Sequence, residues 1–293
     1  MKVLITGGSG LLGQYLNIEL SKENQILTIY HQHNGNCNNF NSFKVDIKDH
    51  NKVKQVIQEF RPDVVIHAAA ISTPRLSKDL SAKEVYKTNV NATKNIAEEC
   101  KKYNVKMFYL STDLVYAGYR GSMLTENYKL IPVSLYAETK LMGETKIQET
   151  FDNYAILRTA LLYGFGLNYS KCHFHEMYKN LKENRKVKLF TDQYRTPLSL
   201  SEAARIISYL IKIEIKGEII NFGGLERVSR FELGEILCNS ANLDKNLLEK
   251  ITMDEIPGLP IVEDVSMNTD KLQAFGIKQK DIEESIEEIL SSS

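Results

Sequence analysis

The chain predicts a doubly wound α/β fold, a parallel sheet covered by helices, with a smaller region at its C-terminal end. Three observations carry that reading. Apolar runs of strand length alternate with longer amphipathic stretches, the rhythm of repeated βαβ units. Several short runs, such as Val64-Val65-Ile66, are apolar without in–out alternation, as befits strands buried on both faces. The first run breaks directly into a glycine-rich turn that opens the first helix.

Taken in order, strands are expected at 2–6, 25–30, 43–45, 63–67, 106–111, 154–158, 187–190 and 218–221. Helices are expected at 11–22, 51–60, 82–103, 134–150, 172–184 and 201–213. The stretch 31–41 is rich in Asn and His and reads as a loop. After about residue 160 the rhythm loosens, and Pro197, Pro257 and Pro260 mark extended or loop segments. Ser229 caps a helix over 231–239, and 281–290 forms a last amphipathic helix. The expected division is a nucleotide-binding domain of 1–160 plus about 186–224, and a substrate-binding region of about 161–185 plus 225–293.

Composition narrows the function classes. Hydrophobic residues at 43% and charged residues at 25% are globular usage and argue against disorder. Lys plus Arg (37) balances Asp plus Glu (37), leaving zero formal charge. A protein that coats nucleic acid or an anionic membrane carries a basic excess, so neither is expected as a partner. Cys37, Cys100, Cys172 and Cys238 are scattered, without the clustering of a zinc site or a disulfide framework. No metal is expected. His173 and His175 are two apart, face different ways on a helix, and have no further ligand near them. The opening apolar run is too short for a signal peptide, and no stretch reaches the roughly 20 apolar residues of a membrane span. A cytoplasmic location is expected.

The first strand runs into Thr6-Gly7-Gly8-Ser9-Gly10-Leu11-Leu12-Gly13. Gly7 allows a tight turn, Gly10 lets the backbone approach a pyrophosphate, and Gly13 lets the helix pack close to the sheet. The phosphates then rest on free N–H groups at the helix N-terminus. A glycine turn serving packing alone is the alternative, but strand–turn–helix is the context that distinguishes a cofactor loop. Gly7, Ser9, Gly10, Leu11, Leu12 and Gly13 are therefore candidate dinucleotide contacts of a Rossmann-type domain. An acid at the end of the second strand would accept the ribose 2′-hydroxyl of NAD. This strand ends Thr28-Ile29-Tyr30-His31-Gln32-His33, with neither acid nor Arg. The missing acid removes a repulsion against a 2′-phosphate, and His31 can donate to one, so NADP(H) is favoured over NAD(H). The alternative is that His31 and His33 are loop residues with no ligand role.

Tyr136-Ala137-Glu138-Thr139-Lys140 places a phenol and an ammonium one helical turn apart on one face. A neighbouring ammonium favours the phenolate and lowers a Tyr pKa from its usual value of about 10. A phenol so tuned can exchange a proton in catalysis.

With these motifs in place, the chain resembles the extended short-chain dehydrogenase/reductase family. The shared motifs are TGGSGLLG at the start, HAAA at 67–70, NVNAT at 89–93, STDLVYAG at 111–118, YAETK at 136–140 and LRTALLYG at 157–164. Within the family it looks most like the dTDP-4-dehydrorhamnose reductase type, through VDI at 45–47, RPDVVIHAAA at 61–70, PVSLYAETK at 132–140 and DQYRTP at 192–197. The resemblance implies roles. Tyr136 matches the tyrosine that protonates the substrate carbonyl oxygen, Lys140 the lysine that holds the nicotinamide ribose and depresses the tyrosine pKa, and Thr112 the hydroxyl that binds the reacting oxygen. Asp46 and Ile47 match the adenine-edge pair, and Ala68, Ala69 and Ala70 the strand end beside the cofactor ribose. Asn89 matches a structural or cofactor-side position.

The implied activity is NAD(P)H-dependent reduction of a keto group on a nucleotide-linked deoxysugar. Asp113 is followed by Leu114, where sugar-nucleotide dehydratases carry a second acid, so elimination is disfavoured. An epimerase remains a rival, since it can use the same tyrosine. So does a non-catalytic NADP-binding subunit resembling the methionine adenosyltransferase beta subunit. Reductases of this type often carry a Trp after Arg-Thr, and this chain has none. Base stacking would then fall to Tyr163, Phe165 or Tyr169. Arg195 is the candidate clamp for a diphosphate, with a surface arginine as the alternative. Asp113, Tyr163 and Arg195 form the expected substrate set, and a homodimer is left open.

Overall fold

The computed structural model describes residues 1–72, 81–119, 121–168, 170–258 and 260–292. The chain runs β1 (Lys2–Thr6), α1 (Leu11–Leu20), β2 (Gln25–Tyr30), β3 (Ser42–Lys44), α2 (His50–Phe60), β4 (Val64–His67), α3 (Ala82–Tyr86), α4 (Ala92–Tyr103), β5 (Lys106–Leu110) and α5 (Leu135–Thr150). There follow β6 (Tyr154–Thr159), β7 (Leu162–Tyr163), α6 (His173–Lys182), β8 (Val187–Phe190), β9 (Tyr194–Arg195), β10 (Leu198–Ser199), α7 (Leu200–Leu210), β11 (Glu218–Phe222), β12 (Val228–Ser229), α8 (Arg230–Ala241), β13 (Leu248–Ile251), α9 (Asp270–Ala274) and α10 (Ile282–Ser291).

Seven strands form one parallel sheet in the order β11-β6-β5-β4-β1-β2-β3. The order reverses between β1 and β4, and in such sheets ligands bind at the strand ends beside that switch point. Alternate residues of each strand enter opposite cores. Val3 and Ile5 face α1 and α7 with Leu16, Leu20, Ile206 and Leu210. Leu4 and Val65 face α2, α4 and α5 with Ile57, Ile96 and Ile147. Both layers are apolar, which explains why the strands show no alternation in the sequence. The sheet is the Rossmann-like α/β architecture that the sequence predicts.

A third apolar cluster, separate from the sheet, joins Phe174, Met177, Leu189, Leu237 and Ile286 from α6, β8, α8 and α10. Here the expected division needs correcting. The segment 187–190 was assigned with the sheet, but β8 pairs in parallel with β13 and packs in this third cluster. Its own pattern gives the reason: Val187 and Leu189 are buried while Lys188 is exposed. That is a strand with one apolar face, not one sandwiched between two helical layers.

The helix expected at 82–103 is interrupted. Between α3 and α4 the stretch Lys87–Asn91 takes a π turn, burying Thr88, Asn89 and Val90. The extra residue swings Asn89 toward the strand ends, where insertions of this kind recur at functional sites.

Helix α5 is locked to the sheet by a buried ion pair. Arg158 of β6 and Glu144 of α5 have side chains only 2% exposed, with Nη2 2.9 Å from Oε2. Arg158 Nη1 also donates to the Tyr116 hydroxyl (3.0 Å) and the Glu126 carbonyl (2.8 Å). The Ser111 hydroxyl, just past β5, donates to Glu144 Oε1. Replacing Glu144 with Leu strands a buried guanidinium and should cost about 3–5 kcal/mol. The double variant Glu144→Leu/Arg158→Leu should lose less than the single one, and urea denaturation of the set checks both.

Candidate active site

Gly7 has φ +72°, and a Cβ there would lie 2.7 Å from the Ala69 amide nitrogen. A Cβ on Gly13 would fall on the Gly7 carbonyl. The turn is closed by Gly10 N–H donating to Gly7 O (2.9 Å), while Gly8 N–H donates to Ile29 O (3.0 Å). The α1 N-cap is Gly10, which brings no side-chain acceptor, so the first-turn amides stay available to an anion. In front of them opens a cleft of about 570 Å³ along the ends of β1, β2 and β4.

Of the expected cofactor contacts, Gly7, Ser9, Gly10, His31, Asp46, Ile47, Ala68, Ala69 and Ala70 all line this cleft. Leu11 and Leu12 do not; their side chains pack against the α1–α7 core. Gly13 stands behind the turn and permits it. Asn89 is a brace: its Oδ1 accepts from Ile71 N–H (2.8 Å), and its Nδ2 donates to Ile71 O and the Thr139 hydroxyl (both 3.0 Å). It thereby ties the end of β4 to α5.

Sequence reasoning missed Lys48 and Gln14. Lys48 lines the cleft with Nζ 3.6 Å from Asp46 and 2.9 Å from Glu84, and His31 Nε2 lies 3.5 Å from the same Asp46 carboxylate. Gln14 is buried, donating to Leu167 O (3.0 Å) and the Ser170 hydroxyl (2.8 Å). It ties α1 to a segment 150 residues away, a partnership that no local pattern announces.

The second half of the site lies past β5. Ser134 caps α5 by accepting from Ala137 N–H (3.2 Å), which fixes the start of the helix carrying Tyr136 and Lys140. Thr112 accepts from Leu114 N–H (3.3 Å) and donates to Asp113 Oδ1 (3.1 Å), and its hydroxyl lies near enough to the Tyr136 phenol to lower that group's pKa. Thr112 and Tyr136 therefore meet as expected from the motifs.

The electrostatics differ from expectation. Burial, followed by the Asp113 charge, pushes Tyr136 up to about 12, and only Thr112 opposes it. The Lys140 ammonium lies 3.9 Å from the centre of the Tyr109 ring, and burial lowers its pKa to about 7 against the opposing charge of Glu144. A buried ammonium is costly to keep charged, so Lys140 has less charge to lend than an exposed lysine. His67 is fully buried between the Thr6 and Thr93 hydroxyls (2.6 and 2.9 Å) and held neutral, with its pKa lowered to about 3 by burial and then by Lys140.

The expected substrate residues divide. Asp113 is 4% exposed, and its Oδ2 accepts no hydrogen bond. Burial raises its pKa, opposed first by Arg195 and then by Thr112 and Arg230. Arg195 is a correction. It is not an open clamp but 5% exposed, with Nε 3.5 Å from Asp113 Oδ2 and Nη1 donating to Tyr194 O (2.7 Å) and Val262 O (3.4 Å). Its Nη1 is taken by two backbone carbonyls, and its Nε faces Asp113. Tyr163 is a second correction. It is 2% exposed, its phenol meets Ser285, and its ring lies 5.3 Å from Phe174 inside the third core. Phe165 packs against Phe174, His175 and Tyr178. Tyr169 lies outside the described residues. His175 Nδ1 accepts from Gly166 N–H (3.1 Å), while His173 is lowered to about 4 by burial and then by the Arg230 charge. Among the described residues no helix is long and apolar enough to cross a membrane.

Comparison with known proteins follows the same outline. The family model described as the RmlD substrate binding domain matches residues 1–293. The crystal structure of dTDP-4-dehydrorhamnose reductase from Bacillus anthracis, in complex with NADP, superposes with a TM-score of 0.85 at 26% identity, covering 100% of this chain and 99% of that one. A dTDP-4-dehydrorhamnose reductase of Aggregatibacter actinomycetemcomitans is 26% identical, over 98% of each chain. The methionine adenosyltransferase 2 subunit beta of Pongo abelii is also 26% identical, over 95% of this chain and 84% of that protein.

The neutral His67 has a measurable consequence. Its pKa falls from the unfolded value of 6.5 to about 3 on folding. Between those values the unfolded chain takes up a proton that the folded chain refuses. Stability should therefore fall as pH drops from about 6.5 toward 3, by up to ~1.4 kcal/mol per pH unit, with no contribution above 6.5. Urea midpoints of wild type and His67→Asn from pH 7 to pH 4 test this. The variant should show the shallower dependence, and an unchanged slope would overturn the assignment.

Proposed function

Because the chain belongs to the RmlD substrate binding domain family, we propose that it is an NAD(P)H-dependent reductase acting on the keto group of a nucleotide-linked deoxysugar. The observation that carries this reading is the proximity of Thr112 to the Tyr136 phenol past β5, at the same C-terminal edge of the parallel sheet as the glycine cradle past β1. The cradle fits a dinucleotide: Gly7, Gly10 and the α1 amides suit a pyrophosphate, Ala68 to Ala70 a ribose, and Asp46 with Ile47 the adenine edge. When bound, the reduced cofactor supplies hydride.

The chain's own residues manage the proton and the geometry. Tyr136, with a pKa near 12, is protonated at neutral pH and is a proton donor to the forming alkoxide. Thr112 holds the reacting oxygen beside that phenol. Lys140, with a pKa near 7, donates to the ribose in its charged form. Leu114 offers no second carboxylate, which disfavours elimination. Tyr163 supports the cleft from the core behind it.

A second reading, an NADP-binding regulatory subunit, is favoured by the likeness to methionine adenosyltransferase 2 subunit beta over 95% of the chain. Cofactor oxidation with a panel of 4-keto nucleotide sugars separates the two. For the reductase, Tyr136→Phe should lower kcat by about 10²–10⁴-fold with cofactor affinity unchanged. Absence of turnover on every substrate, with stable binding to a second protein, would favour the regulatory subunit.

NADP(H) is proposed over NAD(H), since the β2 end is free of acids and His31 and Lys48 flank Asp46 at the adenosine side. Fluorescence titration should give tighter binding of NADPH than NADH. The reverse order would overturn the preference.

A further inference from the structure

With Arg195 buried, its Nη1 held by two backbone carbonyls and its Nε beside Asp113, the site holds a second guanidinium that the sequence reading passed over. Arg230 is the first residue of α8, placed by Ser229, whose hydroxyl accepts from Glu232 N–H (3.1 Å). It is half-buried. Its Nε donates to Gln193 Oε1 (2.9 Å), and its backbone N–H donates to Gln193 O (3.2 Å). The side chain is thus oriented from one edge, while its two terminal Nη groups meet no acceptor among the described residues. The charges acting on it are those of Arg195 and Asp113, and its own charge acts on His173.

Around Asp113 stand two guanidiniums and one carboxylate. Arg195 and Asp113 compensate each other at 3.5 Å. Asp264, which also acts on Arg195, is engaged by Arg227 at 2.7 Å. His173 is neutral at physiological pH. One positive charge is left over, on a guanidinium whose free edge presents a planar pair of donors. Burial and the repulsion of Arg195 lower the Arg230 pKa to about 10, the mark of a cation lacking a full countercharge. The other buried irregularity is the Asp113 Oδ2 atom without a hydrogen bond. An excess cation whose terminal donors meet no protein acceptor is an arrangement that a bound anion completes.

We propose that Arg230, rather than Arg195, binds the phosphoryl group of the substrate through its free Nη pair. This rests on the nucleotide-sugar reading above and assigns its anion-binding residue. A bidentate fork suits two oxygens of one phosphoryl group, and a lysine cannot reproduce it. Asp113 and Arg195 set the position of the anion by fixing where the uncompensated charge lies.

Calorimetric titration with dTDP, inorganic pyrophosphate and thymidine tests the assignment without turnover. Wild type should bind dTDP and pyrophosphate and bind thymidine far more weakly. Arg230→Gln should weaken dTDP binding by at least about tenfold, Arg230→Lys should fall between, and NADPH affinity should stay within about twofold of wild type for both. Wild-type dTDP affinity in Arg230→Gln, or no dTDP binding by wild type, would overturn the inference. If Arg230→Gln also loses NADPH, Arg230→Lys decides by the same comparison. The two readings fail separately. A wild type that reduces no keto sugar, yet loses dTDP affinity on Arg230→Gln, removes the reductase and leaves this site. Turnover with unchanged KM in Arg230→Gln removes this site and leaves the reductase.

Discussion

One buried carboxylate holds the two halves of the site in register. Glu144 sits one turn beyond Lys140 on α5, and its two oxygens take Arg158 from β6 and Ser111 from the end of β5. Without that anchor α5 would meet the sheet through apolar contacts, which are non-directional, and through the Tyr109 hydroxyl donating to Lys140 O (3.3 Å). With it, the face bearing Tyr136 and Lys140 is turned to the β5 end, where Thr112 waits. The same carboxylate opposes the desolvation of Lys140, so one residue bears on both the position of this helix and the charge it carries. Asn89, delivered by the π turn, repeats the logic on the other side by fastening Ile71 to Thr139.

Desolvation outweighs charge pairing through much of this region. Burial is the largest cause for Tyr136, Lys140, His67 and Asp113 alike. It therefore favours the neutral form of each: phenol, amine, imidazole and carboxylic acid. A phenol with a raised pKa is protonated at neutral pH, and an ammonium lowered to about 7 lets small changes around Lys140 alter its charge near neutral pH.

Much of the sheet was legible in the sequence because its signal is local. Continuous apolar runs mark strands buried twice, and the strand–glycine–helix junction marks the phosphate cradle from a dozen residues. Tyr136 and Lys140 share a face because helical spacing dictates it. What the sequence concealed depends on partners far along the chain. The Glu144–Arg158 pair joins two elements, and nothing in either segment names the other. Arg195 and Arg230 are indistinguishable as letters. Only the tertiary fold shows that one guanidinium is enclosed by Asp113 and two carbonyls, while the other keeps donors free. The place of the Lys140 ammonium was hidden for a related reason: helical spacing gives proximity to Tyr136, but the ammonium lies over the Tyr109 ring.

The energetic cost of this arrangement bears on what the protein is for. Moving the lysine pKa from 10.5 to about 7 corresponds to roughly 5 kcal/mol of disfavoured charge at neutral pH, comparable with the net stability of many domains. A subunit that only bound a dinucleotide would still use the Lys140 ammonium for the ribose, but could place a phenylalanine at position 136. The chain instead retains the phenol beside Thr112 and the carboxylate that holds its helix in place. None of these is needed to cradle a pyrophosphate, which the glycine turn and the α1 amides accomplish with backbone groups alone. The polar groups concentrated past β5 make physical sense where a carbonyl oxygen must be gripped and protonated. That weighs the two readings of the family likeness toward chemistry.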